Sequence, residues 1–453
     1  MMQDAISTYL KFVTYTQLET WSYSYLLEEV SRYKKDFQTI KIGNFLKSGK
    51  QSVSIDDEKF YDRVTVKINT NGVVKRDTEK GINIGTKKQF KAKAGQFIVS
   101  KIDARNGAFG IIPNELDGAI VTNDFPLFDV NTDIINPQFF FLITGTKEFI
   151  NFAKSCSSGT TNRQRMDIAM FLNQKIPLPS LSEQESLVKN YFSKIEEAEK
   201  LNQQANNLES EIKEYLNEAL GYKVNTSKAS KLNNCLKVID YTSLEQWGVE
   251  KNNANKLIHT NLYETKKVKE LCVVSSGGTP SRNRKEYYNG NIPWIKTGEV
   301  LNNVICDTEE KITQEAIENS SAKIYPKESL IIAMYGQGLT RGRTAKLGIE
   351  ASTNQACAVL FNIKNDLILT DFLWIYLMGE YHRLRELASG NNQPNLNAQM
   401  IKDYKVVVPP FEIQKQIIEN FNNQKEKIKQ LRVKVEQLKN QAEQEFETEI
   451  FSS

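Results

Sequence analysis

IPLPSLSEQ, at residues 176–184, returns 230 residues later as VVVPPFEIQ, at 406–414. Each copy ends an apolar stretch, places prolines, and then starts a long pattern free of glycine and proline. Over 182–220 the apolar positions Val188, Tyr191, Ile195, Ala198, Leu201, Ala205, Leu208, Ile212 and Tyr215 advance in steps of three and four. Over 412–451, Phe421, Ile428, Val435 and Ala442 recur every seven residues, with Leu431 and Leu438 between them. That is the seam of a coiled coil, and each helix of this length extends about 60 Å. A lone long helix with one apolar stripe is unstable in water. The chain holds two of them, so the economical solution is an antiparallel pair. Its pairing residues are Val188, Ile195, Leu201, Leu208 and Ile212 on one helix, and Phe421, Ile428, Leu431, Val435 and Leu438 on the other.

Working outward from the motif, the whole chain reads as a duplication. YTQLETW (15–21) matches YTSLEQW (241–247), VTND (121–124) matches STNQ (352–355), and SSG (157–159) matches ASG (388–390). Their order is preserved and the offset hardly drifts. A period this long denotes duplicated domains, not a solenoid of small repeats. Each half opens with β-rich runs such as YDRVTVKIN (61–69), QFIVSKI (96–102), SLIIAMY (329–335) and ACAVLFNI (356–363), separated by Gly and Asn turns. Helical patterns at 137–152 and 370–387 close each block. Pro137 suits a first helical turn, and Asp371 makes another acidic. The expected class is α+β, with two globular β-rich α/β domains separated by the helix pair and related as a pseudo-two-fold internal repeat. The boundaries are 1–178, 179–222, 223–408 and 409–453.

Composition bounds the function. The 453 residues exceed a single core, while 25% charged and 40% hydrophobic residues suit a folded, soluble protein. The net charge of +4 is too mild to indicate nucleic acid by itself. Five scattered cysteines with no CxxC pair, and only two histidines, offer neither a disulfide framework nor a metal site. The opening MMQDAISTYLKF is not a secretory signal and no apolar run approaches a membrane span, so a cytoplasmic protein without membrane contact is expected.

Catalytic signatures are missing where they would be sought. VPPF (408–411) begins with a valine that cannot accept a hydrogen bond from a target amino group, and NQPN (392–395) lacks the double proline and aromatic. No GxxxxGK[ST] or GxSxG string occurs. GINIG (81–85) reads as a turn, Asp57 and Lys59 in DDEK as a solvated turn, and Cys156 as a structural cysteine. No catalytic residue and no metal ligand is assigned.

Positive charge gathers instead at equivalent places in the halves. Residues 86–105 carry a net +5 and residues 323–346 a net +4, each just before the VTND or STNQ landmark. Paired basic lobes are what a duplex phosphate backbone requires. Around them lie side chains suited to base edges, since Arg pairs with guanine and Asn or Gln with adenine. In the first half these are Lys88, Lys101, Arg105, Asn106, Arg163 and Arg165. In the second they are Thr279, Ser281, Arg282, Lys296, Tyr335, Gln337, Thr340, Arg341 and Arg343. Trp294, within IPWIKTGEV (292–300), reads as part of a core strand rather than a stacking platform. The competing reading is a two-domain coiled-coil scaffold that binds proteins without sequence-specific DNA readout.

GGTPSRNRKEYYNGNIPWIKTGEV (277–300) strongly resembles the opening of a target-recognition domain of type I restriction–modification specificity subunits. MYGQGLTRGRTAKLGIEASTNQACA (334–358) resembles the centre of that domain, and SKIDARNGAFGIIPNELDGAIVTNDFP (100–126) a variant of it. IPLPSLSEQ and VVVPPFEIQ are similar to the start of that family's spacer helices. The resemblance spans nearly the whole chain. It implies a non-catalytic subunit that reads a bipartite, asymmetric double-stranded DNA site, one half per domain. Its helices would dock two methyltransferase subunits, which are joined by restriction and translocase subunits. S-adenosylmethionine, ATP and Mg would belong to those partners, leaving no cofactor in this chain. The first half departs from the pattern, with KSGKQSV (47–53) where GGTPSR would stand.

Overall fold

The structure is a computed structural model that describes residues 33–34, 37–158, 165–224, 257–259, 262–336, 338–387 and 395–451. YTQLETW, YTSLEQW, ASG and most of NNQPN (391–395) lie outside the described residues, as do Arg163 and Gln337. Two compact units emerge: Met1–Lys200 with Lys434–Ser453, and Leu201–Val433. Each long helix therefore contributes one part to each unit.

In the first unit, an antiparallel sheet runs in the order Leu46–Ser48, Leu127–Val130, Phe97–Val99, Phe109–Ile111. A second sheet of five strands joins Gln51–Ser54, Lys88–Lys91, Ile120–Val121, Phe60–Val66 and Val73–Lys80, with one parallel contact where Arg63 faces Ile120. A ribbon of Gln38–Lys41 with Lys175–Leu178 leads to the long helix. In the second unit the antiparallel order is Val273–Ser276, Cys357–Phe361, Leu330–Ala333, Thr344–Leu347, extended by Val304–Ile305 in parallel. Its second sheet holds Glu310–Ile312, Tyr288–Ile295 and Ser352–Thr353, again with one parallel pairing, Trp294 to Ser352. Glu264–Lys267 with Lys405–Val408 forms its ribbon. The four-stranded antiparallel order, the ribbon into the long helix and a parallel contact to the landmark strand recur in both units, while the remaining strands differ in number, so the duplication read from short motifs is a duplication of this shared topology. KSGKQSV occupies the GGTPSR position: Gly49 N donates to Leu127 O at 2.9 Å, as Gly277 N donates to Cys357 O at 3.1 Å.

The helical patterns at 137–152 and 370–387 are each two helices, not one. Pro137–Gly145 stops before Thr146, whose hydroxyl donates back to Ile143 O at 2.8 Å and whose oxygen caps Lys147–Ser155. Thr370–Gly379 stops before Glu380, and Tyr381–Leu387 follows. Both first helices end on glycine, the weakest interior helix former after proline, so each pattern bends where an apolar count sees continuity.

The long helices are Leu181–Ala219 and Phe411–Ile450. Ser180 and Glu183 close the first N-terminus reciprocally, Ser180 N to Glu183 Oε2 at 2.8 Å and Glu183 N to Ser180 Oγ at 3.3 Å. Within the first unit, Asn190 and Lys194 both reach Glu445, at 3.0 and 2.7 Å, and Tyr191 packs edge-on to Phe446. Three hydrogen bonds, from Lys194, Asn190 and Gln441, hold the Glu445 carboxyl down at about 2. Within the second unit, Glu209 meets Arg432 at 2.8 Å, and Leu216 and Leu220 share a core with Ile417. Progress along the first helix is retreat along the second, so the two run in opposite directions. Ile428, Val435 and Leu438 are buried, while Val188, Ile195, Leu201, Leu208, Ile212, Phe421 and Leu431 are half-buried. The fully enclosed positions midway along the first helix are Ala198 and Ala205, seven residues apart. Among the described residues, no helix is long and apolar enough to cross a membrane, and no three His, Cys, Asp or Glu side chains gather as a metal group.

Candidate nucleic-acid interface

Each unit builds its candidate surface on one hairpin. In the first, strands Phe97–Val99 and Phe109–Ile111 are joined by residues 100–108, where a short helical turn, Ala104–Asn106, carries Arg105 and Asn106. The loop is held from two sides. Asn69 N donates to Asn106 O at 2.7 Å, and Thr70 N to Gly107 O at 2.9 Å. Asn69 and Thr70 adopt φ of 55° and 53°, a left-handed backbone that is costly for a β-branched threonine. Such strain persists only where neighbouring bonds enforce it, and here it buttresses the loop.

The VTND landmark is the hub on the other side. Asp124 O accepts from Lys101 N at 2.9 Å, and the Asp124 carboxylate pairs with Arg165 at 3.2 Å. Lys101 O in turn accepts from Met166 N at 2.9 Å, and Asn123 Oδ1 accepts from Lys50 Nζ at 2.8 Å. Lys101, Arg165 and Lys50 thus converge on one loop. Arg105 is half-buried and Asn106 exposed. Lys88 stands elsewhere, exposed at the start of a strand of the second sheet.

In the second unit, Leu330–Ala333 and Thr344–Leu347 are joined by residues 334–343. Gly336, Gly338 and Gly342 have φ of +131°, +68° and +86°. Tyr335 and Leu339 are exposed, and Thr340 and Arg341 half-buried. Arg343, half-buried as well, precedes the closing strand. The helix Tyr381–Leu387 anchors this loop: Tyr381 Oη donates to Leu339 O at 2.9 Å, and Arg385 Nη1 to Arg341 O at 3.0 Å. Burial, and then the neighbouring Arg385 charge, pull the Arg341 guanidinium below its ordinary value. Crowding of like charges on a glycine-shaped loop suits an anion. Arg385 and Tyr381, like Lys50 and Asn69, belong to the surface but carry no local sequence signal; only the fold brings them to the hairpins.

The GGTPSR segment lies against the STNQ landmark. Gly278 N donates to Thr353 O at 2.8 Å, and the Thr279 hydroxyl hydrogen-bonds Gln355 Oε1. The glycines here make room for protein rather than for phosphate. A Cβ on Gly277 would stand 2.2 Å from Asn354 O, and one on Gly278 2.3 Å from Ala322 N. Gly278→Ala is therefore expected to destabilise the second unit by about 1–3 kcal/mol through forced backbone shifts, seen as a lower midpoint in urea. Trp294 is 1% exposed and its indole N–H donates to Gly278 O at 3.0 Å, so it is core.

Two further candidate cations are engaged with carboxylates, as Arg165 is with Asp124. Arg282 pairs with Glu310 at 2.7 Å and lies 4.5 Å over the Tyr288 ring, while Lys296 reaches Glu309 at 2.7 Å and Glu310 at 3.1 Å. The Arg282 hydrogen bond holds the Glu310 carboxyl below the usual carboxylate range, aided by Lys296 against the opposing effect of burial. Ser281 is exposed beside them. The DDEK turn is a charged surface feature, with Asp57 on Lys87 and Lys59 on Asp56, and Cys156 is buried.

Comparison with known proteins agrees with the repeat. The family model for the type I restriction modification DNA specificity domain matches twice, over residues 34–214 and 261–440. The HindI specificity subunit of Haemophilus influenzae, a type I restriction enzyme component, is 25% identical over 382 residues, covering 73% of this chain and 81% of that protein. The MjaIX specificity subunit of Methanocaldococcus jannaschii is 28% identical over 162 residues, 34% of this chain and 36% of the relative. A solved chain from a study of complex assembly and conformational transition in the type I R-M system shares the fold. It aligns with a TM-score of 0.58 at 14% identity, over 92% of this chain and 98% of that one.

Proposed function

The chain belongs to the type I restriction modification DNA specificity family, and from that premise we propose that it reads a bipartite, asymmetric DNA site, one half through each β-rich block. The observation that carries this reading is the repeated hairpin, which in both units carries cations on a buttressed loop, held at the VTND landmark in the first unit and by the helix Tyr381–Leu387 in the second. Phosphate contacts would position each block and base-edge contacts would specify the sequence. In the first block Lys101, Arg105, Asn106 and Arg165 supply them, with Lys50 added by the fold. In the second, Thr340, Arg341 and Arg343 do so, with Tyr335 and Arg385. Because the two loops differ in length and composition, the two half-sites differ.

The chain contributes no catalytic group. Methyl transfer and cleavage fall to two methyltransferase subunits and the restriction subunits docked on its helices, which bring S-adenosylmethionine, ATP and Mg, all in the cytoplasm. Sequencing the methylated sites of cells that carry this chain with its methyltransferase partner tests the reading, and a split motif with unlike halves is expected. Arg341→Ala should relax the requirement at one position of one half and weaken binding there by about 1–3 kcal/mol, leaving the other half unchanged. The scaffold alternative expects no motif and no steep fall of log affinity with log salt.

A further inference from the structure

The glutamines that close the two copies of the opening motif, Gln184 and Gln414, are 0% and 1% exposed, and base reading makes no use of them. Each makes the same bonds. Gln184 Oε1 accepts from Asn136 N at 2.7 Å, and its Nε2 donates to Pro179 O at 2.9 Å and Ile134 O at 3.5 Å. Gln414 Oε1 accepts from Leu369 N at 2.8 Å, and its Nε2 donates to Pro409 O at 2.9 Å and Leu367 O at 3.4 Å. The partners are equivalent in the repeat. Asn136 and Leu369 are the N-caps of Pro137–Gly145 and Thr370–Gly379. Those helices pack on Phe109–Ile111 and Thr344–Leu347, the closing strands of the two cationic hairpins. Pro179 and Pro409 lie between the ribbon strand and the long helix.

One buried amide therefore ties three segments: the helix behind the hairpin, the proline turn, and the first turn of the long helix. A primary amide suits the place because it accepts and donates at once, whereas a carboxylate or an aliphatic chain would leave a buried N–H or C=O unpaired. Without this tie, the block would meet its helix through the ribbon and the apolar contacts, which resist separation more than rotation. We propose that Gln184 and Gln414 are positioning residues that fix the angle of each block on its own long helix, and so restrict the number of unread base pairs tolerated between the half-sites. The proposal rests on the DNA reading above.

The test uses the full chain assembled with its methyltransferase partners. Duplexes carry both half-sites with the native spacer, one base pair fewer, or one more. Gln184→Leu and Gln414→Leu should each raise methylation of the off-length duplexes relative to the native one by about tenfold, the ratio one lost buried hydrogen bond can support, with base requirements inside each half-site unchanged. Gln184→Glu and Gln414→Glu keep the acceptor and lose the donor, and should fall between wild type and the leucine variants. Amide exchange at Asn136 or Leu369 should accelerate in the matching variant while the middle of the long helix stays protected. Folded variants with the wild-type spacer ratio would overturn the clamp alone. A wild-type complex indifferent to spacer length would overturn the DNA reading and the clamp together.

Discussion

Arg383→Met is expected to lower the stability of the second unit by about 3–5 kcal/mol, the cost of stranding a buried charge. The charge stranded is Glu380, whose side chain is 8% exposed. Arg383 Nη1 donates to both of its oxygens, at 3.1 and 3.0 Å, and the Tyr404 hydroxyl donates to Oε2. The guanidinium also lies 4.6 Å over the Tyr222 ring, whose hydroxyl meets that of Tyr376 at 3.0 Å. Burial raises the Tyr376 and Tyr404 phenols beyond the ordinary tyrosine range, so both stay protonated and available as donors through neutral pH. The network joins Tyr222, just past the first long helix, to the helices at 370–387 and to Tyr404, just before strand Lys405–Val408. Methionine roughly replaces the aliphatic length of Arg383 but neutralises nothing. Adding Glu380→Leu to Arg383→Met should recover much of the loss, because the cost lies in the unpaired partner more than in the missing bond. Urea denaturation of the single and double variants decides it; equal midpoints for the two would show that the loss does not come from a stranded Glu380.

Phe171→Ala should cost the first unit about 3–5 kcal/mol, through lost burial and an uncollapsed cavity. Phe171 is fully buried, and its ring centre lies 6.1–6.5 Å from those of Phe97, Phe109, Phe128 and Phe149. Those four come from three strands of one sheet and a helix, so no single neighbour can move into the space without breaking its own strand or helix. With two units in the chain, unfolding is not expected to be a single two-state transition. Calorimetry should show an earlier transition displaced downward by the first-unit variant and a second one held in place. A single transition that shifts as a whole would mean that the units unfold as one.

Some of these features are legible in the amino-acid order alone. The long helices follow from steps of three and four sustained over dozens of residues, a pattern that survives any tertiary context. The cationic hairpins are legible because charge and glycine cluster locally, as in residues 334–343. Where each helical block bends, at Thr146 and Glu380, does not show in the apolar pattern, which runs on unbroken past Gly145 and Gly379; the glycines alone mark the places. Arg282 and Lys296 show the opposite difficulty: as sequence they read as side chains suited to base edges, and the fold places Glu309 and Glu310 beside them.

By itself, the sequence determined that this protein is a duplicated pair of β-rich blocks with two long helices, since periodicity and repeat order are written along the chain. Tertiary structure alone decided which polar groups meet across distance: Gln184 with Asn136, Arg385 with the backbone of Arg341, Tyr404 with Glu380. Such partners lie up to 48 residues apart and are selected by strand register and helix packing. Local propensity encodes which element forms, whereas a hydrogen bond forms only after both elements have been placed to within a few tenths of an ångström.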